Sequence, residues 1–70
     1  MATVREVIES IELLDGKLEV EIQYHTFTGW TNEVYFVNCG EHDIPEHLLD
    51  LEIEKYEYIR DNVLFIVCVA

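Results

Sequence analysis

The stretch Lys17-Leu18-Glu19-Val20-Glu21-Ile22-Gln23-Tyr24-His25 alternates strictly between polar and apolar side chains. Successive side chains of an extended chain point to opposite faces. This period of two therefore predicts a strand over residues 17–25, with Leu18, Val20, Ile22 and Tyr24 on one face. An apolar sheet face needs a cover, and the segment upstream supplies one. Val4, Val7, Ile8, Ile11 and Leu14 recur at helical spacing, which predicts an amphipathic helix over residues 3–14. Thr3 and Glu6 match the T-x-x-E capping box, and Asp15-Gly16 marks the stop. Arg5, Glu6, Glu9, Ser10 and Glu12 take the outer face.

Downstream, residues 26–32 (Thr-Phe-Thr-Gly-Trp-Thr-Asn) read as a loop carrying two aromatic residues. Residues 33–38 read as a second strand, with Val34 and Phe36 on one side and Tyr35 and Val37 on the other. Cys39-Gly40 ends it. Asp43-Ile44-Pro45 opens a short helical turn through Leu49, with proline at the first helical position, where its missing N–H costs nothing. Residues 51–59 and 63–69 read as two further strands joined by a hairpin turn at Arg60-Asp61-Asn62. The last is apolar on both faces, as expected of an interior strand or one with a second buried face. The expected fold is α+β: one domain over residues 1–70, an N-terminal helix on an antiparallel sheet of about four strands, and a short helical turn between strands two and three.

A chain of 70 residues holds one small core, which supplies only about 3–5 kcal/mol unless a disulfide, metal or oligomer interface adds to it. Half the residues are hydrophobic, so the chain has enough apolar material to fold. Fifteen acidic residues against four basic ones give a formal charge of -11. Such a surface repels nucleic acid and anionic membrane and attracts cationic protein grooves or metal ions. Arg5, Glu6 and Glu9 interrupt any apolar leader, and the longest apolar run, residues 63–70, is too short to span a bilayer. The expectation is a cytoplasmic protein, monomeric or homodimeric, with its two cysteines reduced.

Three constellations could carry chemistry. Cys39, His42 and His47 have the spacing C-x2-H-x4-H, with thiolate and imidazole the preferred ligands of zinc. His25, Cys68, Glu41 or Asp43 could supply a fourth ligand to a structural zinc ion. The same residues also read as a buried cysteine at a strand end and two surface histidines. Glu6, Glu9, Glu12, Glu52, Glu54 and Glu57 form a carboxylate display suited to a basic partner, although each glutamate alone reads as a solvated side chain. Trp30 in the aromatic loop reads equally as an interface anchor and as a lid on the core. Catalysis finds little support. The single serine, Ser10, falls in a helix, and there is no glycine-rich phosphate loop and no nucleophile elbow. The expectation is a protein that is not an enzyme.

The opening Thr3-Val-Arg-Glu-Val-Ile-Glu-Ser-Ile, the segment Asp43-Ile-Pro-Glu-His-Leu-Leu-Asp, and the following Glu-Ile-Glu-Lys-Tyr-Glu-Tyr-Ile and Asn-Val-Leu-Phe-Ile-Val resemble small acidic proteins of phages and prophages of Gram-positive bacteria. These include anti-CRISPR inhibitors of the nuclease Cas9. The resemblance implies a non-enzymatic binding protein that occupies a basic surface of Cas9 and hinders DNA loading, with no direct contact to nucleic acid. The alternative from the residues themselves is a zinc-stabilised structural or assembly module.

Overall fold

Lys17 to Thr26 and Gly29 to Asn38 pair along their whole length, as strands β1 (Lys17–Thr26) and β2 (Gly29–Asn38), in one long antiparallel hairpin. The computed structural model describes residues 2–10, 17–38, 41–60 and 62–70. Only Phe27 and Thr28 separate the strands, so the aromatic loop expected over residues 26–32 is a two-residue turn. Trp30 lies in β2, opposite His25. Gly29 makes the tight turn possible: its φ of +118° is one that side-chain-bearing residues rarely adopt. Thr26 Oγ1 donates to the Gly29 carbonyl at 3.1 Å and accepts from Thr28 N at 3.3 Å, which fixes the turn.

The remaining elements are α1 (Val4–Glu9), β3 (Glu41–His42), α2 (Glu46–Leu49), β4 (Ile53–Arg60) and β5 (Val63–Cys68). The sheet is five-stranded in the order β3-β2-β1-β5-β4. It is mixed, because β5 runs parallel to β1, with Val20 beside Leu64 and Ile22 beside Ile66. The expected all-antiparallel sheet of about four strands is therefore corrected in two respects. The two-residue β3 has no periodicity to reveal it. Parallel pairing arises because the chain crosses the sheet through α2 before returning as the β4–β5 hairpin. The double apolar character of 63–69 fits the interior place of β5.

The capping box forms as expected: Thr3 Oγ1 accepts from Glu6 N at 3.3 Å, and Glu6 Oε1 accepts from Thr3 N at 3.2 Å. Ile11, Glu12, Leu14 and the Asp15-Gly16 stop lie outside the described residues, as does Asp61 of the expected hairpin turn. Pro45 caps α2 from just outside the helix rather than opening it, and its carbonyl accepts from Leu48 N and Leu49 N. Before β4, the chain bonds to the N-terminal segment through Val4 N to Leu51 O at 3.0 Å and Ile53 N to Ala2 O at 2.9 Å.

Both helices cover one face of the sheet. Val4, Val7 and Ile8 of α1 and Leu48 and Leu49 of α2 pack on Leu18, Val20, Ile22, Leu64 and Ile66, all buried. The alternation in β1 thus places its apolar set inward as expected. On the opposite face lie Glu19, Glu21, Gln23 and His25 of β1, flanked by exposed Val34 and Phe36 of β2 and by Phe65 of β5.

Candidate functional site

The charges divide between the two sides of the molecule. On the helix side, Glu6 and Glu9 project from α1, and Asp43, Glu46 and Asp50 surround α2; all five are exposed. The one lysine or arginine on this side is Arg5, which donates to Glu46 Oε2 at 2.5 Å and Asp50 Oδ1 at 3.1 Å. Exposed ion pairs of this kind contribute little to stability, but they tie α1 to α2 and leave the helix layer strongly negative. The open sheet face differs. Strand alternation and pairing place Lys17, Lys55 and Arg60 there with Glu19, Glu21, Glu41, Glu52 and Glu57. Three of the four lysines and arginines of the chain therefore sit on this mixed-charge face. The Lys17 ammonium lies 4.3 Å from the centre of the Phe36 ring, a cation–π contact.

The predicted carboxylate display is accordingly split. Glu52, beside the inward-facing Ile53 and opposite Val69, turns to the open face, which leaves Glu6 and Glu9 on the helix side. Glu57 pairs with Phe65 and faces the same way as Glu52. Glu54 is exposed where the β4 register shifts, and Glu12 lies outside the described residues. Asp43, Glu46 and Asp50 complete the helix-side field. Trp30 is neither a lid on the core nor a loop residue; it is half-exposed on the open face, edge-on to His25 with ring centroids 5.3 Å apart.

The candidate zinc ligands are dispersed. His42, on β3 at one edge, accepts from Ile44 N through Nδ1 at 3.3 Å, shaping the turn into α2. His47 lies toward the other end of the sheet, lining an open cleft of about 790 Å3 with Tyr24, His25, Thr26 and Phe27. Cys68 is fully buried on β5, three strands away from β3, and burial pushes its thiol pKa up. At about 4.8 Å per strand this separation is roughly 14 Å across the sheet alone, too far to share one ion with His42. Cys39 lies outside the described residues, and among the described residues no three His, Cys, Asp or Glu side chains converge for a metal ion. A zinc site on His42 would therefore omit Cys68.

One cluster escaped the sequence reading. Tyr24 of β1 and Tyr35 of β2 donate their hydroxyls to the two oxygens of Glu33, on the helix-facing side of the hairpin. The two hydrogen bonds, Tyr24's first, hold the Glu33 carboxyl below its usual pKa, and the nearby His47 adds a smaller push. Burial and then the bond to Glu33 raise the Tyr35 pKa to about 12. The only signal in the sequence is the i, i+2 spacing of Glu33 and Tyr35, which a strand turns to one face. The partner, Tyr24, becomes visible only through the register.

No family model matches the chain, and neither curated proteins nor solved structures give a significant match. The resemblance to acidic phage proteins thus rests on the quoted segments alone. No helix among the described residues is long and apolar enough to cross a membrane.

Proposed function

We propose that this protein is a binding module whose acidic helix layer occupies a cationic surface of a nucleic-acid-handling protein, with no reaction of its own. The observation that carries the reading is the segregation of charge: five exposed carboxylates on the helix side face one arginine, which is already engaged by two of them. A fold that needed acidity only for solubility could spread it evenly. Gathered on one side, the charges sum to a field that steers a positive partner and discriminates against neutral ones. The individual pairs are weak and screened, so affinity depends on their number.

The quoted phage-like segments make Cas9 the first partner to test, with DNA loading as the step hindered, in the cytoplasm of the host cell. Binding to purified Cas9 measured calorimetrically across a salt series tests this reading. The expected result is an affinity that falls steeply with ionic strength and is competed by DNA. No binding at low salt would remove Cas9 as the partner. Binding indifferent to salt would remove the electrostatic mechanism.

A further inference from the structure

The two edges of the sheet are unlike. A free edge presents unpaired backbone N–H and C=O groups, and proteins protect such edges with charges, bulges and covering segments. β4 has all three. Its register shifts between Ile53 and Lys55 and again between Tyr58 and Arg60. It carries Glu54, Lys55, Glu57 and Arg60, and Thr3 bridges to Glu52 just before it. β2 has none over most of its length. Its pairing with β1 is unbroken, β3 covers only Val37 and Asn38, and nothing else among the described residues pairs with that side. In a chain of charge -11, the ten residues of β2 hold one charged side chain, Glu33, and that carboxylate is satisfied by two tyrosine hydroxyls. Trp30, Val34 and Phe36 beside this edge are each about half exposed, at 49%, 49% and 48%.

We propose that the open edge of β2 pairs antiparallel with the same edge of a second copy, centred on Asn32, to form a continuous ten-stranded sheet. Charge and length select both occupant and register. β2 is the one long edge on which two such acidic chains meet with almost no charge opposed. A two-residue turn closes the β1–β2 hairpin at Thr26 and Gly29. Alternate residues from there point their backbone groups toward β1, so Trp30, Asn32 and Val34 present theirs outward. Centring on Asn32 sets Trp30 opposite Val34 of the partner subunit, an aromatic–β-branched pair of the favourable kind. It sets Thr31 opposite Glu33 of the partner subunit and ends before β3. Centring on Glu33 would oppose two carboxylates, and centring on Val34 would drive Thr31 into the place β3 holds beside Val37. The Asn32 side chain is occupied on the other side, donating to Glu21 Oε2 at 2.7 Å, which leaves its backbone free for the partner.

Sedimentation equilibrium of the full chain tests the pairing. The expected mass is twice 8.2 kDa at sub-millimolar concentration. The dimer should tighten as salt rises, because salt screens the repulsion between two negative chains. Asn32→Pro removes an outward N–H that the single copy does not use, so it should weaken the dimer by about tenfold or more with an unchanged far-UV circular dichroism spectrum. Should that variant not fold, Asn32→Cys in a Cys39→Ser background gives a second reading. Opposed residues of a hydrogen-bonded antiparallel pair lie about 5.5 Å apart at Cα, within disulfide reach. Oxidation should cross-link Asn32→Cys and leave Lys55→Cys on the β4 edge uncross-linked. A wild-type mass of 8.2 kDa at every concentration, or equal cross-linking at both edges, overturns the proposal.

Discussion

Tyr24 and Glu33 are joined across the β1–β2 hairpin by a hydroxyl-to-carboxylate hydrogen bond, and Tyr35 completes the grip from Glu33's own strand. The arrangement keeps the one charge of β2 ionised and directed toward the helix side, away from the open face.

This cluster sets the pH limits of its own contribution. Glu33 is held below its unfolded pKa of about 4.3, so its stabilisation is complete above that value and is lost as pH falls through the lower folded value. Tyr35 behaves in the opposite sense. Its folded pKa of about 12 exceeds the unfolded value of about 10, so its contribution is complete below pH 10 and fades as pH rises toward 12. Melting temperature against pH for wild type and Glu33→Gln should show the variant losing less on acidification. The bond to Glu33 also raises Tyr24, so an ultraviolet titration should show two late-ionising tyrosines, the later of which disappears in Tyr35→Phe. That variant should cost about 1 kcal/mol, the upper range for charged acceptors being discounted for partial exposure.

The hairpin turn depends on Gly29. No heavy atom lies within 4 Å of where a Cβ would stand, so Gly29→Ala meets only backbone strain at φ +118°. A loss of about 1–3 kcal/mol in urea denaturation is expected. An unchanged denaturation midpoint would show that the turn adopts another conformation.

Leu48 carries the attachment of α2 to the sheet. It is fully buried among the inward residues of β1 and β5 and the apolar face of α1. Leu48→Ala should cost about 2–5 kcal/mol, comparable with the whole stability of a core this small. Loss of the cooperative thermal transition at 37 °C is the expected outcome. A variant that melts within a few degrees of wild type would show that α2 is not part of the core.

The parts of the fold legible in the sequence are those with a long period. Leu18 to Tyr24 alternate over a full strand, and Thr3 and Glu6 announce a helix start at fixed spacing; both were read in place. Trp30 reads as a loop residue because Thr-Phe-Thr-Gly-Trp has loop composition, and only the φ of Gly29 shows that two residues suffice to turn. The parallel β1–β5 pairing was hidden because alternation describes a strand's faces and not the direction of its neighbour. The candidate site was legible only as a total charge. Glu52 and Glu57 read as one display with Glu6 and Glu9, but pairing and alternation turn both to the open face, away from α1. Glu46 and Asp50 join the acidic side through a helix only one turn long. Glu33 was invisible because its two partners are fixed by cross-strand register and side-chain reach.

The division of charge between the two sides is tested most directly by paired charge reversals measured against the same basic partner at low salt. Glu6→Lys, Glu9→Lys and Asp43→Lys together invert the helix layer, whereas Glu19→Lys and Glu57→Lys alter the open sheet face. The helix-layer variant should lose binding by about a hundredfold or more, roughly 1 kcal/mol for each reversed charge, and the sheet-face variant should stay within a few fold of wild type. Equal losses from both sets, or a greater loss from the sheet face, would contradict the assignment of the acidic helix layer as the contact surface.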